Sequence, residues 1–252
     1  MLELHLLVII FAIQWLAFIP AYFFQTERFY DLIGSLTYIL TVIVALMLTP
    51  KIDTRTVLLA SLLMVWAFRL GLFLFVRIHA AGGDSRFDQI KRSPLRFFIT
   101  WTLQALWISI TASAALFAIL SSTAIDLGLF AYIGLLLWCL GFAMEAVADS
   151  QKSRFRKDPA NAGRFIQSGL WSWCRHPNYT GEILLWVGVA FIALPVLEDW
   201  RYIGLLSPIF VAFLLIRVSG IPLLERAGQD RWGDDVEYQA YLKRTPKLIP
   251  GF

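Results

Sequence analysis

The chain reads as an all-α, polytopic membrane protein with seven transmembrane helices, its N-terminus outside and its C-terminus cytoplasmic. Three observations predict this. Of the 252 residues 58% are hydrophobic and only 16% charged, with a mean hydropathy of +0.67, which is more apolar matter than one soluble core of this length uses. Apolar runs near the ~20 residues that cross ~30 Å of hydrocarbon as helix fall at 2–24, 29–49, 56–76, 95–120, 124–148, 180–197 and 202–221. Of the 22 Lys and Arg, Arg69 and Arg217 lie inside spans, seventeen collect on one side, and only Lys51, Arg55 and Arg201 fall on the other. The positive-inside rule makes the crowded side cytoplasmic. The net charge of +4 is then a topology signal, and no aromatic-interleaved basic stripe points to nucleic acid.

The first span has no basic region ahead of it and is followed by Tyr22, Phe23 and Phe24 rather than by small residues, so it reads as a retained helix rather than a cleaved signal. The second opens on Phe29, Tyr30 and Asp31, with Gly34 a small surface for close approach, and ends at Pro50. Asp31 serves equally as a helix-start residue or as a polar group facing a ligand. In the third span Arg69 sits about two thirds of the way toward the cytoplasm, and Arg77, eight residues on, lies about 80° around the helix. Both guanidinium groups can face one cavity. The fourth and fifth spans are joined by a tight turn at 121–124, and the sixth and seventh by another at 198–201. Arg217, near the cytoplasmic end of the seventh, can snorkel. The longer cytoplasmic segments are 77–94, 149–179 and 222–252, where a large polar ligand has room. No repeat or linker divides the chain, so it reads as one domain, 1–252.

Two stretches carry polar groups where they are costly. The fifth span ends MEAVADSQKSRFR, placing Glu145 and Asp149 four apart and Arg156 seven beyond Asp149, within about 20° of one helix face. Acids lie deep on this stripe and a cation lies at its mouth. The second stretch is GLWSWCRHPNYTGE at 169–182. His176 precedes a proline and so is disfavoured as helix, while Pro177 suits the first turn of the sixth helix. The helix N-terminus then offers free N–H groups and a positive dipole end to an anion. Arg175 and His176 add donors, and Tyr179 sits beside them. Asn178 and Glu182, four apart, share a face suited to an amide or ribose. A phosphate-bearing cofactor is the simplest occupant. Three histidines, His5, His79 and His176, and two cysteines, Cys139 and Cys174, form no metal-ligand pattern; the cysteines read as free thiols.

The run from Glu145 to Glu182, with Glu225, Tyr238, Tyr241 and LIP at 248–250, resembles the bacterial branch of the steroid 5-alpha-reductase family, labelled DUF1295. The resemblance covers most of the chain and is strongest over 145–182. It implies seven transmembrane helices and an NADPH that delivers hydride, from a cytoplasm-facing cavity, to the C=C bond of an enone in a steroid-like lipid. Carried over, Arg69, Asp149, Arg156, Asn178, Glu182 and Tyr241 fall on cofactor-binding positions, to which the motif adds Arg175, His176 and Tyr179. Asp31 and Glu145 are the candidate catalytic groups. The family's animal members polarise the substrate carbonyl with a Gln-Glu pair on the second helix and a Tyr on the third; the nearest counterparts here are Asp31 and Trp66. Trp66 has no phenol. The expected partners are a lipophilic substrate and membrane lipids, and the expected place is a multi-pass position in the inner membrane if the source is bacterial. RHPNY and the closing Glu-Tyr-Tyr pattern are also similar to S-adenosylmethionine-dependent membrane methyltransferases of the isoprenylcysteine and phospholipid type. The Glu145–Arg156 stripe, which supplies an extra cation for a dinucleotide, favours NADPH.

Overall fold

A computed structural model describes residues 2–248; Ile249 and Pro250, the end of the LIP pattern, lie outside the described residues. No strand occurs among them, and ten α-helices carry the fold. Six helices are long and apolar enough to span a membrane, or seven if one bent pair counts as a span. The chain forms two compact units, Met1–Ala131 with Ile192–Ser207, and Tyr132–Phe191 with Pro208–Phe252.

The first unit contains α1 (Leu2–Phe23), α2 (Tyr30–Leu48), α3 (Thr54–Ala81), α4 (Pro94–Thr111) and α5 (Ser113–Ile119). Local chemistry sets their ends. The Asp53 side chain caps α3 by accepting from Thr56 N, and Gly82, at φ 79°, ends it in the left-handed conformation that suits glycine. Ser93 caps α4 ahead of Pro94. The fourth expected span is the bent pair α4 and α5, which meet at 54°. Ser207 Oγ donates to Thr111 O at 2.5 Å and Ser113 Oγ to Ile110 O at 2.7 Å, and hydroxyls inserted at a helix ladder bend it.

Two connections differ from the expected tight turns. Residues 121–128 form a longer irregular stretch held by Arg55, which is 3% exposed and donates to Ile192 O, Ile125 O and Asp126 O. The turn expected at 198–201 opens a 3-10 helix, Asp199–Leu206. On the same unit, Glu27 is 3% exposed; it accepts from Lys91 Nζ at 2.8 Å and Asp84 N at 3.0 Å, fastening the segment after α3. Burial alone would raise its pKa, but those donors hold its carboxyl below the ordinary range.

The second unit is built on α6 (Leu129–Lys157) and α7 (Pro177–Ala193), followed by α8 (Ser207–Phe213), a π turn at Leu214–Val218, α9 (Ile221–Trp232) and α10 (Val236–Arg244). The seventh expected span, 202–221, lies within one span-length apolar stretch, Asp199–Trp232, along which the helix type changes from 3-10 through α and π back to α. As expected, α6 runs on past its apolar part to include Arg156, and α7 starts at Pro177.

Candidate functional site

Glycine decides how α6 meets α7. Gly134 and Gly141 on α6 and Gly181 and Gly188 on α7 are each seven residues apart, so each pair lies on one face. A Cβ on Gly181 would fall 2.5 Å from Gly141 O and 2.7 Å from Glu145 N; one on Gly188 would fall 2.7 Å from Trp138 N. The two backbones touch, as small residues permit. Close contact brings the α6 acids to the first turns of α7. Glu145 is 2% and Asp149 7% exposed, and Asn178 Nδ2 donates to Asp149 Oδ1 at 3.4 Å. The stripe and the motif thus form one cluster. Asn178 Oδ1 is buried without a hydrogen-bond partner, and so are both ring nitrogens of His176. Glu182 is half-buried one turn along the Asn178 face, while Arg156 is exposed at the end of α6.

The turn before α7 is braced by the C-terminal segment. Arg175 N donates to Pro246 O at 2.9 Å and His176 N to Lys247 O at 3.1 Å, and Thr180 Oγ1 donates to Leu248 O at 3.0 Å. Glu225, on α9, lies under the motif: its carboxylate is 2.7 Å from Arg175 Nη1, 3.3 Å from Lys247 Nζ and 3.6 Å from His176 Nε2. Burial pushes the His176 pKa down further than Glu225 lifts it, so the imidazole is neutral near pH 7. His176 stacks on Tyr179 with centroids 5.7 Å apart. Burial pushes the Cys174 thiol up, and both cysteines are free.

Tyr241 is 5% exposed and its hydroxyl donates to Trp171 O at 2.7 Å, fastening α10 to the motif. Burial raises its phenol well above the ordinary range. Trp171, which is not among the residues the sequence singles out, donates Nε1 to Ala148 O at 3.1 Å, and its ring lies 4.4 Å from Lys152 Nζ. Gly169, at φ 63°, has the Gln151 amide where a Cβ would be, so glycine is required at that turn. Nor does the sequence single out the hub role of Glu225. The seven-residue glycine spacing is a visible signal for the helix contact; Glu225 stands in the C-terminal pattern of the resemblance, but nothing local marks its ion-pair partners.

Two candidates lie in the first unit. Arg69 is half-buried with its guanidinium 5.3 Å from the Phe73 centroid, and exposed Arg77 is 5.7 Å from the same ring, so the two cations share an aromatic neighbour on α3. Asp31 stands in the first turn of α2, without acting as its cap, within the field of Arg77 and Arg86. Trp66 is buried with the Tyr38 ring edge-on at 5.1 Å, which places a buried phenol of α2 beside the indole of α3. Among the described residues no cluster of His, Cys, Asp and Glu could hold a metal.

A Delta(14)-sterol reductase of Dictyostelium discoideum is 31% identical over 137 residues, 46% of this chain and 26% of that protein. An uncharacterized protein of Schizosaccharomyces pombe is 26% identical over 160 residues, 53% of this chain and 46% of that one. A probable O-methyltransferase of Ustilaginoidea virens is 35% identical over 57 residues, 23% of this chain and 20% of that protein. The chain spans less than half the length of each of these relatives. No solved structure matches it. The model of the family described as a protein of unknown function, DUF1295, matches residues 17–245, and the chain belongs to that family.

Proposed function

We propose that this DUF1295 member is an NADPH-dependent membrane reductase acting on a C=C bond conjugated to a carbonyl in a steroid-like or other lipophilic substrate. The observation that carries the reading is the α6–α7 cluster: a half-buried Asn178 bonded to Asp149, with its buried Oδ1 lacking a partner, above a turn edged with cations. An orphaned acceptor of this kind is costly unless a ligand donor meets it. A carboxamide N–H₂ fits Asn178 Oδ1, and a ribose hydroxyl fits the neutral His176 ring, so the residues present suit a nicotinamide dinucleotide. When bound, NADPH would supply the hydride.

The chain's own groups do the rest. Asn178 and Glu182 orient the polar ring, with Glu145 and Asp149 beneath them, and Arg156 and the cations beside Arg175 neutralise phosphate. Arg175 acts chiefly through Glu225, since its guanidinium is already paired there, and Tyr241 holds the motif in place through Trp171. The resemblance adds Arg69 to the cofactor set. The resemblance puts substrate polarisation on the second helix, where Asp31 is the candidate to meet the carbonyl; Trp66 has no phenol to do so. A donor fixed in a water-poor site stabilises developing oxyanion charge. We assign the protein to a bilayer as a multi-pass protein with a cytoplasmic C-terminus.

A methyltransferase reading has the match to a probable O-methyltransferase in its favour. Thermal-shift titration of detergent-purified protein with NADPH and with S-adenosylmethionine separates the two. Stabilisation by NADPH is expected; stabilisation by S-adenosylmethionine alone sinks the reductase.

A further inference from the structure

We propose that the groove beside α10 is a binding site for a phosphomonoester dianion. The groove has a volume of about 490 Å³ and is lined by Arg175, Lys243, Arg244, Thr245, Pro246 and Lys247 among others. Four of those side chains are cations. One carboxylate, Glu225, balances Arg175 and Lys247 together. Arg244 Nη2 donates at 2.5 Å to Gln167 Oε1, a neutral amide, and Lys243 is exposed. The lining therefore keeps an excess of three positive charges. A phosphomonoester brings roughly −1.5 to −2 charges and three strong acceptor oxygens, which suits such a lining better than a phosphodiester's single charge.

The groove is also built in advance. Its wall at Pro246 and Lys247 is tied to the backbone N–H groups of Arg175 and His176, and Leu248 to Thr180, so a ligand meets a backbone already in place rather than a loop it must order. Arg175 lines the groove three residues before Asn178. A phosphate held here thus belongs to the same rigid turn as the polar cluster at the start of α7. On the reductase reading, from which this step proceeds, the phosphate is the 2′-phosphate that distinguishes NADPH from NADH. A lipid phosphomonoester headgroup is the other source of the same chemistry.

The test uses the full chain in detergent, with affinities for NADPH, NADH and adenosine 2′-monophosphate, and capture by vesicles of phosphatidylcholine with and without phosphatidic acid. The variants are Lys243→Ala and Lys243→Ala/Lys247→Ala, with Lys51→Ala as the charge-matched control. For Lys243→Ala the Kd for NADPH and for adenosine 2′-monophosphate is expected to rise about tenfold, and further in the double variant, with NADH changed less than about twofold. Unchanged nucleotide affinities with a lost preference for phosphatidic acid would support the site and assign its phosphate to a headgroup. NADPH bound as tightly by the variants as by the parent, with vesicle capture also unchanged, overturns the groove and leaves the reductase intact. Equal losses for NADPH and NADH overturn the 2′-phosphate assignment, and binding of none of the probes by the parent chain overturns the groove and the reductase together.

Discussion

Buried polar groups are met to different degrees in the two units. In the first, Glu27 uses both carboxylate oxygens on Lys91 and Asp84 N, and Arg55 spreads its two Nη atoms over three carbonyls. In the second, His176 is as buried as these, yet neither ring nitrogen has a hydrogen-bond partner, and Asn178 Oδ1 is orphaned beside it. Burial alone therefore does not mark a site. Buried charge that finds partners fastens loops, even where one atom, Arg55 Nε, stays unpaired; the orphaned atoms of His176 and Asn178 differ in lying together at the start of one helix, where a ligand would reduce their cost.

The largest effects should come from breaking the fasteners. Arg55→Ala leaves three backbone carbonyls without their donor and should cost about 3 kcal/mol or more, read as a lowered Tm in detergent, with no specific loss of nucleotide affinity at temperatures where the protein is folded. Next comes the glycine contact. Gly181→Ala places a Cβ against the Glu145 backbone, which cannot swing aside as a side chain would; a cost of about 1–3 kcal/mol is expected, accompanied by weakened NADPH binding. Gly128→Ala, where a Cβ meets open space, should stay within about 0.5 kcal/mol. A stable Gly181→Ala protein with full affinity would show that close helix approach does not set the site.

Smaller effects separate the two kinds of burial by pH. The lowered Glu27 pKa contributes stability that is complete above the ordinary carboxylate range and declines as pH falls through the folded value. Glu27→Gln should therefore flatten the acid limb of the stability profile. His176 is buried neutral, so its contribution declines already as pH falls below the ordinary imidazole range; His176→Asn should remove the dependence near pH 6 and leave the lower limb alone. The smallest change in stability is expected for Asn178→Ala, within about 1 kcal/mol, but its NADPH affinity should fall about tenfold. Arg156→Ala should weaken NADPH binding, read by titration of the detergent-purified protein. Full affinity in both would remove the cluster from the site.

Much of the second unit was legible before any coordinates. The pre-proline position of His176 and the helix start at Pro177 follow from proline sterics, and the continuation of α6 to Arg156 from an unbroken helical pattern. Other features were not legible for identifiable reasons. The turn expected at 121–124 became a longer stretch because Arg55, read as an outside surface charge, is buried and reaches carbonyls up to 137 residues away. The π turn at Leu214–Val218 and the close packing at Gly220, where a Cβ would meet Leu215 O at 2.5 Å, are details within the seventh span that hydropathy does not register.

The sequence by itself determined the all-helical membrane class, the approximate extent of the apolar helices, and the polar stretch at 169–182, because lipid demands long apolar helices and penalises polar groups wherever they recur. Only the tertiary structure decided which polar groups are satisfied. Arg175 is paired by Glu225 from α9, Tyr241 is taken by Trp171, and Asn178 meets Asp149 because glycines let α6 and α7 touch. Hydrogen bonds and charges act over a few ångströms, so partners distant in the chain become partners only when packing brings them together.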